Sequence, residues 1–259
     1  MSSPKLEVMN APPPVSDDFA LFLDFDGTLV EIAPTPDAVS PSPSMIGHLR
    51  HLIDHLDGAV AIVSGRPIHE IDAFLAPLRL PCAGLHGLET RFLPDDEVVR
   101  TPVGPELATL KAALEGSGLL GRGVSIEDKG AALAVHYRIA PDCERAVVEV
   151  MEEAVGALPD LHLIHGKMVV EAKPAHRDKG WAVSRFMELA PFRGRTPVFI
   201  GDDVTDEDGL RAVEAVGGFG IKVGEADSCA RFRISDVAGV HDWLALDISS
   251  HVHRRSPSE

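Results

Sequence analysis

The sequence predicts an α/β protein in two parts: a parallel sheet covered by helices on both faces, and a smaller α+β unit inserted into it. Three observations predict it. Short continuous apolar runs end in polar or acidic turns and are followed by apolar residues at helical spacing, as strands buried on both faces are. The middle of the chain instead alternates polar and apolar residues in short runs, as an open antiparallel sheet does. The chain has 259 residues, 45% hydrophobic and 25% charged, enough for one large or two modest domains with cores of their own.

In chain order, residues 1–16 are polar and proline-rich and read as a loose arm. The first strand is expected at 19–23 (FALFL), ending in DFDGT, and residues 34–44 (PTPDAVSPSPS) read as a surface loop. The second strand, 58–63 (GAVAIV), ends in SGRP; Pro67 sits where a helix begins, and Ile68, Ile71, Phe74 and Leu75 follow at helical spacing. The inserted unit is expected over 104–172, with a helix at 105–114, strands at 124–127 and 131–138, and a helix at 143–158. Its last two strands, 161–165 and 168–172, surround a turn at Gly166 and Lys167. The core, begun over 17–103, resumes over 173–250 with a helix through Trp181, Val183, Phe186, Met187 and Leu189. A third core strand at 197–200 (PVFI) ends in GDDVTDED, helical spacing runs through Leu210, Val213 and Val216, and a fourth strand lies at 219–223. Residues 251–259 read as a tail.

Composition excludes several classes of function. Lysine and arginine number 24 against 40 aspartates and glutamates, a net charge of −16, which disfavours a nucleic-acid binder. No apolar run is long enough to form a membrane-spanning helix, and the start has no apolar segment of a secretory signal. Cys82, Cys143 and Cys229 are scattered and in no CxxC pair, which fits a reducing cytoplasm and argues against a disulfide scaffold or zinc site. The expectation is a cytoplasmic protein with no nucleic-acid or membrane partner and with a monomer favoured. An acidic protein that handles an anion then needs local cationic help.

The chemistry starts at Asp24 and Asp26. Two carboxylates at i and i+2 leave a strand on one side, roughly 7 Å apart, at the carboxyl end where open α/β sheets bind ligands. By itself this pair could close a solvated turn, since Asp-Gly is a common turn dipeptide. The second cluster, Asp202 to Asp208, again follows an apolar strand. Glu207 and Asp208 are explained as favourable first-turn charges on a helix, whereas Asp202 and Asp203 at the strand end are not. If the two strands are neighbours, the carboxylates converge into a cup of hard oxygen ligands of the kind Mg²⁺ prefers. Ser64, Gly65 and Arg66 supply a hydroxyl and backbone N–H groups at a helix start, which attracts anions, although Ser64 alone could be an ordinary helix cap. Lys179 in the first turn of a helix is electrostatically misplaced for helix stability and so implies another partner.

The four segments DFDGTL, SGR, Lys179 and GDDVTDED, in this order, closely resemble the haloacid dehalogenase-like (HAD) phosphatase superfamily, along the whole chain. The resemblance implies a Rossmann-like core with a cap domain inserted between SGR and Lys179. It implies Asp24 as the nucleophile that forms an aspartyl-phosphate and Asp26 as the acid/base. Ser64 and Lys179 would bind the phosphoryl oxygens, and Asp202, the Asp24 side chain and the Asp26 backbone carbonyl would hold Mg²⁺. Asp203 or Asp206 would add a water-mediated metal contact or orient Lys179. The two roles require the Asp24 and Asp26 pKa values to be pushed apart, with the metal favouring an ionised Asp24 and desolvation on closure raising Asp26.

A narrower resemblance lies in GLHGLE (84–89), IEDKGAALAVHYR (126–138), HGKMVVEAKP (165–174) and KGWAV (179–183), which look like trehalose-6-phosphate phosphatases. It implies that Glu127, Lys129 and Glu171 contact the glucose unit remote from the phosphate. His136, Arg138, Lys167 and His86 are further substrate-binding candidates. Strand alternation independently puts Ala134, His136 and Arg138 on one face, and Val169, Glu171 and Lys173 on one face. The substrate expected is a small sugar phosphate, trehalose 6-phosphate first. Sucrose 6-phosphate or mannosyl-3-phosphoglycerate is the alternative, and a non-catalytic sugar-phosphate-binding regulator a third reading.

Overall fold

The structure, a computed structural model, describes residues 11–33, 39–101, 104–128, 130, 132–158, 161–166 and 168–245. Lys129, Lys167, the first ten residues, residues 34–38 and the tail lie outside the described residues. The strands are β1 (Phe19–Leu23), β2 (Val60–Val63), β3 (Cys82–Gly84), β4 (Glu89–Arg91), β5 (Val99–Arg100), β6 (Ser125–Asp128), β7 (Leu133–His136), β8 (Leu161–Gly166), β9 (Val169–Pro174), β10 (Thr196–Gly201), β11 (Phe219–Val223) and β12 (Phe232–Ile234). The helices are α1 (Pro43–His55), α2 (Ile68–Leu75), α3 (Pro105–Gly116), α4 (Glu144–Gly156), α5 (Lys179–Met187), α6 (Glu207–Ala215) and α7 (Val237–Ala245).

Two sheets result among the described residues. The larger has the order β12-β11-β10-β1-β2-β3-β4-β5 and is parallel from β12 to β3, with β4 antiparallel to β3. Every residue of β1, β2 and β11 is buried, so the apolar runs mark strands covered on both faces. The smaller sheet, β6-β7-β9-β8, is antiparallel throughout. The chain divides into two compact units: the stretch up to Val99 with that from Asp178 onward, and Arg100–Arg177.

Packing in the larger unit positions α5. Phe22 on β1 lies 5.9 Å from Phe186 on α5 and 5.4 Å from Phe192, ring centre to ring centre. Such aromatic pairs contribute about 0.5–1.5 kcal/mol beyond their buried area. Asp178 caps the same helix by accepting from the Trp181 N–H at 2.6 Å, which sets Lys179 at its first position.

Two expected loops are anchored. Residues 34–44 do not end as a loop: Ser42 caps α1 by accepting from the Met45 N–H, and Pro43 and Ser44 already belong to the helix. Proline is well suited to a helix's first turn, which is where Pro43 sits. Near the start, the Pro13 carbonyl accepts from Trp243 Nε1 at 2.8 Å and Val15 packs on the core, so this part of the arm is tied down.

In the smaller unit, one face of the sheet packs Leu133, Val135, Val170 and Ala172 against Leu107, Leu110, Leu114, Val147 and Met151 of α3 and α4. The other face carries a row set by register: Glu127 opposite Ala134, Ala134 opposite Glu171, and Glu171 opposite Ile164. β7 stops at His136, so Arg138 falls in the following exposed turn and strand alternation no longer assigns it a face.

Candidate active site

β1 and β10 are adjacent and parallel, with Leu23 opposite Ile200, and the Asp24 N–H donates to the Ile200 carbonyl at 3.0 Å. Both acidic loops therefore leave the sheet at the carboxyl ends of two adjacent central strands. Asp24, buried at 4% exposure, accepts from Lys179 Nζ through Oδ1 at 2.7 Å. Lys179 Nζ also donates to Asp206 Oδ1 at 2.6 Å, and the Asp203 N–H donates to Asp206 Oδ2 at 2.9 Å. Of the two acids left open above, Asp206 is thus the buried one that orients Lys179, while Asp203 is exposed. Their three-residue spacing is that of a capping box, a signal present in the sequence.

Charge in this cluster is balanced against burial. Burial pulls the Lys179 ammonium down, but the Asp24 and Asp206 carboxylates outweigh it and hold its pKa above the usual lysine value. Burial, then Asp206, push the Asp24 carboxyl well above its usual range, with Lys179 pulling the other way. Burial, then Asp206 and Asp203, lift Asp202 to about 6. In this arrangement desolvation falls on Asp24, while the Asp26 side chain is 34% exposed. The reason is topological: Asp24 lies directly at the strand end under Lys179, and Asp26 is two residues out on the loop.

These carboxylates fit a hard divalent cation. One oxygen from each of Asp24, Asp202 and Asp206 lies within 4.8 Å of the other two. Asp206 uses both oxygens on Lys179 and the Asp203 N–H, which leaves Asp24 and Asp202 as the carboxylates with oxygen to offer. Asp202 Oδ1 is buried and has no hydrogen-bond partner among the described residues. A buried carboxylate oxygen without a donor is costly, and a cation relieves that cost. Gly27 makes the arrangement sterically possible: it has φ +77°, and a β-carbon there would lie 2.2 Å from Asp202 Oδ2.

The SGR segment divides its work. Ser64 is buried and its Oγ accepts from the Arg66 N–H at 3.2 Å. Arg66 grips Asp26 with two prongs, Nε to Oδ2 at 2.6 Å and Nη2 to Oδ1 at 2.8 Å, and donates from Nη1 to Glu70 at 3.1 Å. Its guanidinium lies over the Phe74 and Phe25 rings, 5.0 and 5.9 Å from their centres. The Arg66 side chain is here paired with the Asp26 and Glu70 carboxylates. The first N–H of α2, Ile68, is held by the Glu89 carboxylate at 2.9 Å, so this helix start is already capped. Glu89 was not singled out in the sequence, although it ends GLHGLE. His86, with φ +55°, lies against Gly65, where a β-carbon would come 2.9 Å from the imidazole. That seats His86 beside Ser64 and Gly65.

In the smaller unit, Glu127 Oε2 and His136 Nε2 are 2.8 Å apart, with side chains 53% and 37% exposed. Glu171 lies in the same row as Glu127. Lys129 and Lys167 lie outside the described residues.

A family model described as trehalose-phosphatase matches residues 22–236. A probable trehalose-phosphate phosphatase from Sinorhizobium fredii is 47% identical over 209 residues, spanning 80% of this chain and 78% of that protein. The trehalose-6-phosphate phosphatase of Escherichia coli is 39% identical over 249 residues, spanning 93% and 90%. Among solved structures, an Aspergillus fumigatus trehalose-6-phosphate phosphatase superposes with TM-score 0.69 at 25% identity, covering 88% of this chain and 91% of that one. A Bacteroides thetaiotaomicron phosphatase of the HAD superfamily superposes with TM-score 0.63 at 20% identity, covering 91% and 96%, and shares the fold. With a buried carboxylate–lysine cluster at the carboxyl ends of the central strands of a HAD-type sheet and a family match over most of its length, the chain belongs to the trehalose-phosphatase family.

Proposed function

We propose that the chain hydrolyses trehalose 6-phosphate to trehalose and phosphate, with Mg²⁺, through an aspartyl-phosphate on Asp24. The observation that carries this reading is the Asp24–Lys179–Asp206 triad beside Asp202, at 2.6–2.7 Å. Asp24 attacks phosphorus, and the bond from phosphorus to the sugar oxygen breaks as Asp26 gives that oxygen its proton. Asp26 then takes a proton from water, which attacks the phosphoryl group and releases Asp24 and phosphate. Lys179 neutralises the phosphoryl charge in both steps. Asp206 keeps Lys179 in place. Ser64 binds a phosphoryl oxygen, with the Gly65 backbone and His86 at its side. Asp24, Asp202 and the Asp26 carbonyl would hold Mg²⁺, whose chemistry there is to offset the negative charge of the phosphate and the carboxylates.

For Asp26 to serve as the acid it must leave the Arg66 fork, so that fork is a resting position. Glu127 and Glu171, with Lys129 and with His136, Arg138 and Lys167 as further contributors, read the sugar. Carboxylates suit this because each sugar hydroxyl can donate to them.

The test is phosphate and trehalose release from trehalose 6-phosphate, with and without excess chelator, beside sucrose 6-phosphate and mannosyl-3-phosphoglycerate. A preference of about tenfold or more for trehalose 6-phosphate, about 1.4 kcal/mol, is expected, with activity lost in chelator. Asp24→Asn should lower turnover by about a thousandfold or more. Full activity of that variant rejects the nucleophile, and an equal rate on sucrose 6-phosphate rejects the substrate.

A further inference from the structure

Lys222 is a lysine in the middle of an otherwise apolar strand, β11, and is only 1% exposed. Burying an ammonium is costly unless its donors are all used. Here they converge on the acidic loop. Gly201 on β10 is in register with Lys222, which places the Lys222 side chain beside the residues that follow Gly201. Its Nζ donates to the Asp202 carbonyl at 2.6 Å, reaches the Asp203 carbonyl at 3.4 Å and lies 3.9 Å from Glu207 Oε1. Glu207 is itself fixed, accepting from the Cys229 N–H at 3.0 Å.

We propose that Lys222 is a positioning residue for the cation site: it tethers the backbone of Asp202 and Asp203 so that the Asp202 carboxylate stays turned toward Asp24. This rests on reading Asp24 and Asp202 as metal ligands. Asp202 is then held from two sides, its main chain by Lys222 and its carboxylate by the close approach over Gly27. The backbone contact is what makes the role positional. A lysine placed only to offset negative charge would point at carboxylates, whereas this ammonium makes its shortest contact, 2.6 Å, with a peptide carbonyl.

The two roles predict opposite signs. Loss of a positive charge beside carboxylates strengthens their attraction for a cation. Loss of a tether lets Asp202 turn away and weakens it. The experiment measures Mg²⁺ binding to the full chain by competition against Mn²⁺ followed by electron paramagnetic resonance, for the wild type, Lys222→Met and Lys222→Gln. Far-ultraviolet circular dichroism checks the fold of each. Lys222→Met should bind Mg²⁺ at least tenfold more weakly than the wild type, and Lys222→Gln, which keeps an N–H donor group, should lose less. If Lys222→Met does not fold, Lys222→Gln decides alone. Unchanged or tighter Mg²⁺ binding in a folded variant overturns the tether. Failure of the wild type itself to bind either cation overturns the metal reading on which the tether stands.

Discussion

The two units carry polar groups in opposite ways. In the larger unit the lysine-centred cluster is buried and interlocked: Lys179 is 2% exposed, Asp24 4%, Asp206 0%, and each has a charged partner within 2.7 Å. In the smaller unit, Glu127 stands half in solvent, and its partner His136 is itself 37% exposed. A buried charge survives only when its partners are complete, so Asp24, Lys179 and Asp206 depend on one another. An exposed charge can be altered at little cost to the fold. On the proposed function, the contrast places variable specificity on the open sheet and leaves the buried cluster fixed.

The strongest way to break this comparison is Lys179→Met. It leaves Asp24 and Asp206 buried side by side without their shared cation, and breaking a buried ion pair from one side costs roughly 3–5 kcal/mol. Urea unfolding should show that loss together with near-complete loss of turnover. A folded variant of unchanged stability would mean that the cluster is not interdependent.

What the sequence disclosed follows the same division. β1 and β11 match the expected 19–23 and 219–223, because a continuous apolar run between turn residues admits few other readings. The acidic cup requires β1 and β10 to be neighbours, and they are. The three-residue strands β3 and β4 went unseen, being too short to show a period. α1 was missed although Met45, Leu49 and Leu52 are spaced for a buried helical face, because the prolines before it read as loop. Partnerships were the least legible. The Arg66–Asp26 fork joins residues 40 apart, and Lys222 reaches Asp202 across 20. Alternation tells which residues share a face, but only the strand order tells which of them meet.

A change on the open sheet should separate recognition from chemistry. Glu171→Ala removes a carboxylate from the row through Glu127 and Ala134 while leaving every member of the buried cluster in place. Losing one charged hydrogen bond to a sugar hydroxyl costs about 1.5–3 kcal/mol, so kcat/KM for trehalose 6-phosphate should fall roughly 10- to 150-fold. For 4-nitrophenyl phosphate, which has no sugar to read, kcat/KM should change less than about threefold. Equal losses on both substrates would remove the division between the two units.

The smallest expected effect is also the sharpest test of the contrast, because it asks for almost nothing. Glu127 and His136 are 2.8 Å apart, a spacing that in a buried site would signal a substantial contribution. Both side chains are more than a third exposed, however, so water competes for each and the pair gains little over two solvated groups. Glu127→Ala should shift the unfolding free energy by less than about 0.5 kcal/mol, measured by urea denaturation. Its effect on trehalose 6-phosphate should still exceed its effect on 4-nitrophenyl phosphate, as for Glu171→Ala. A stability loss above about 1.5 kcal/mol would show that the pair is a structural clasp of the β6–β7 hairpin. Glu127 would then be held in place by the fold, as Lys179 is, and the open sheet would not be free to vary as its exposure implies.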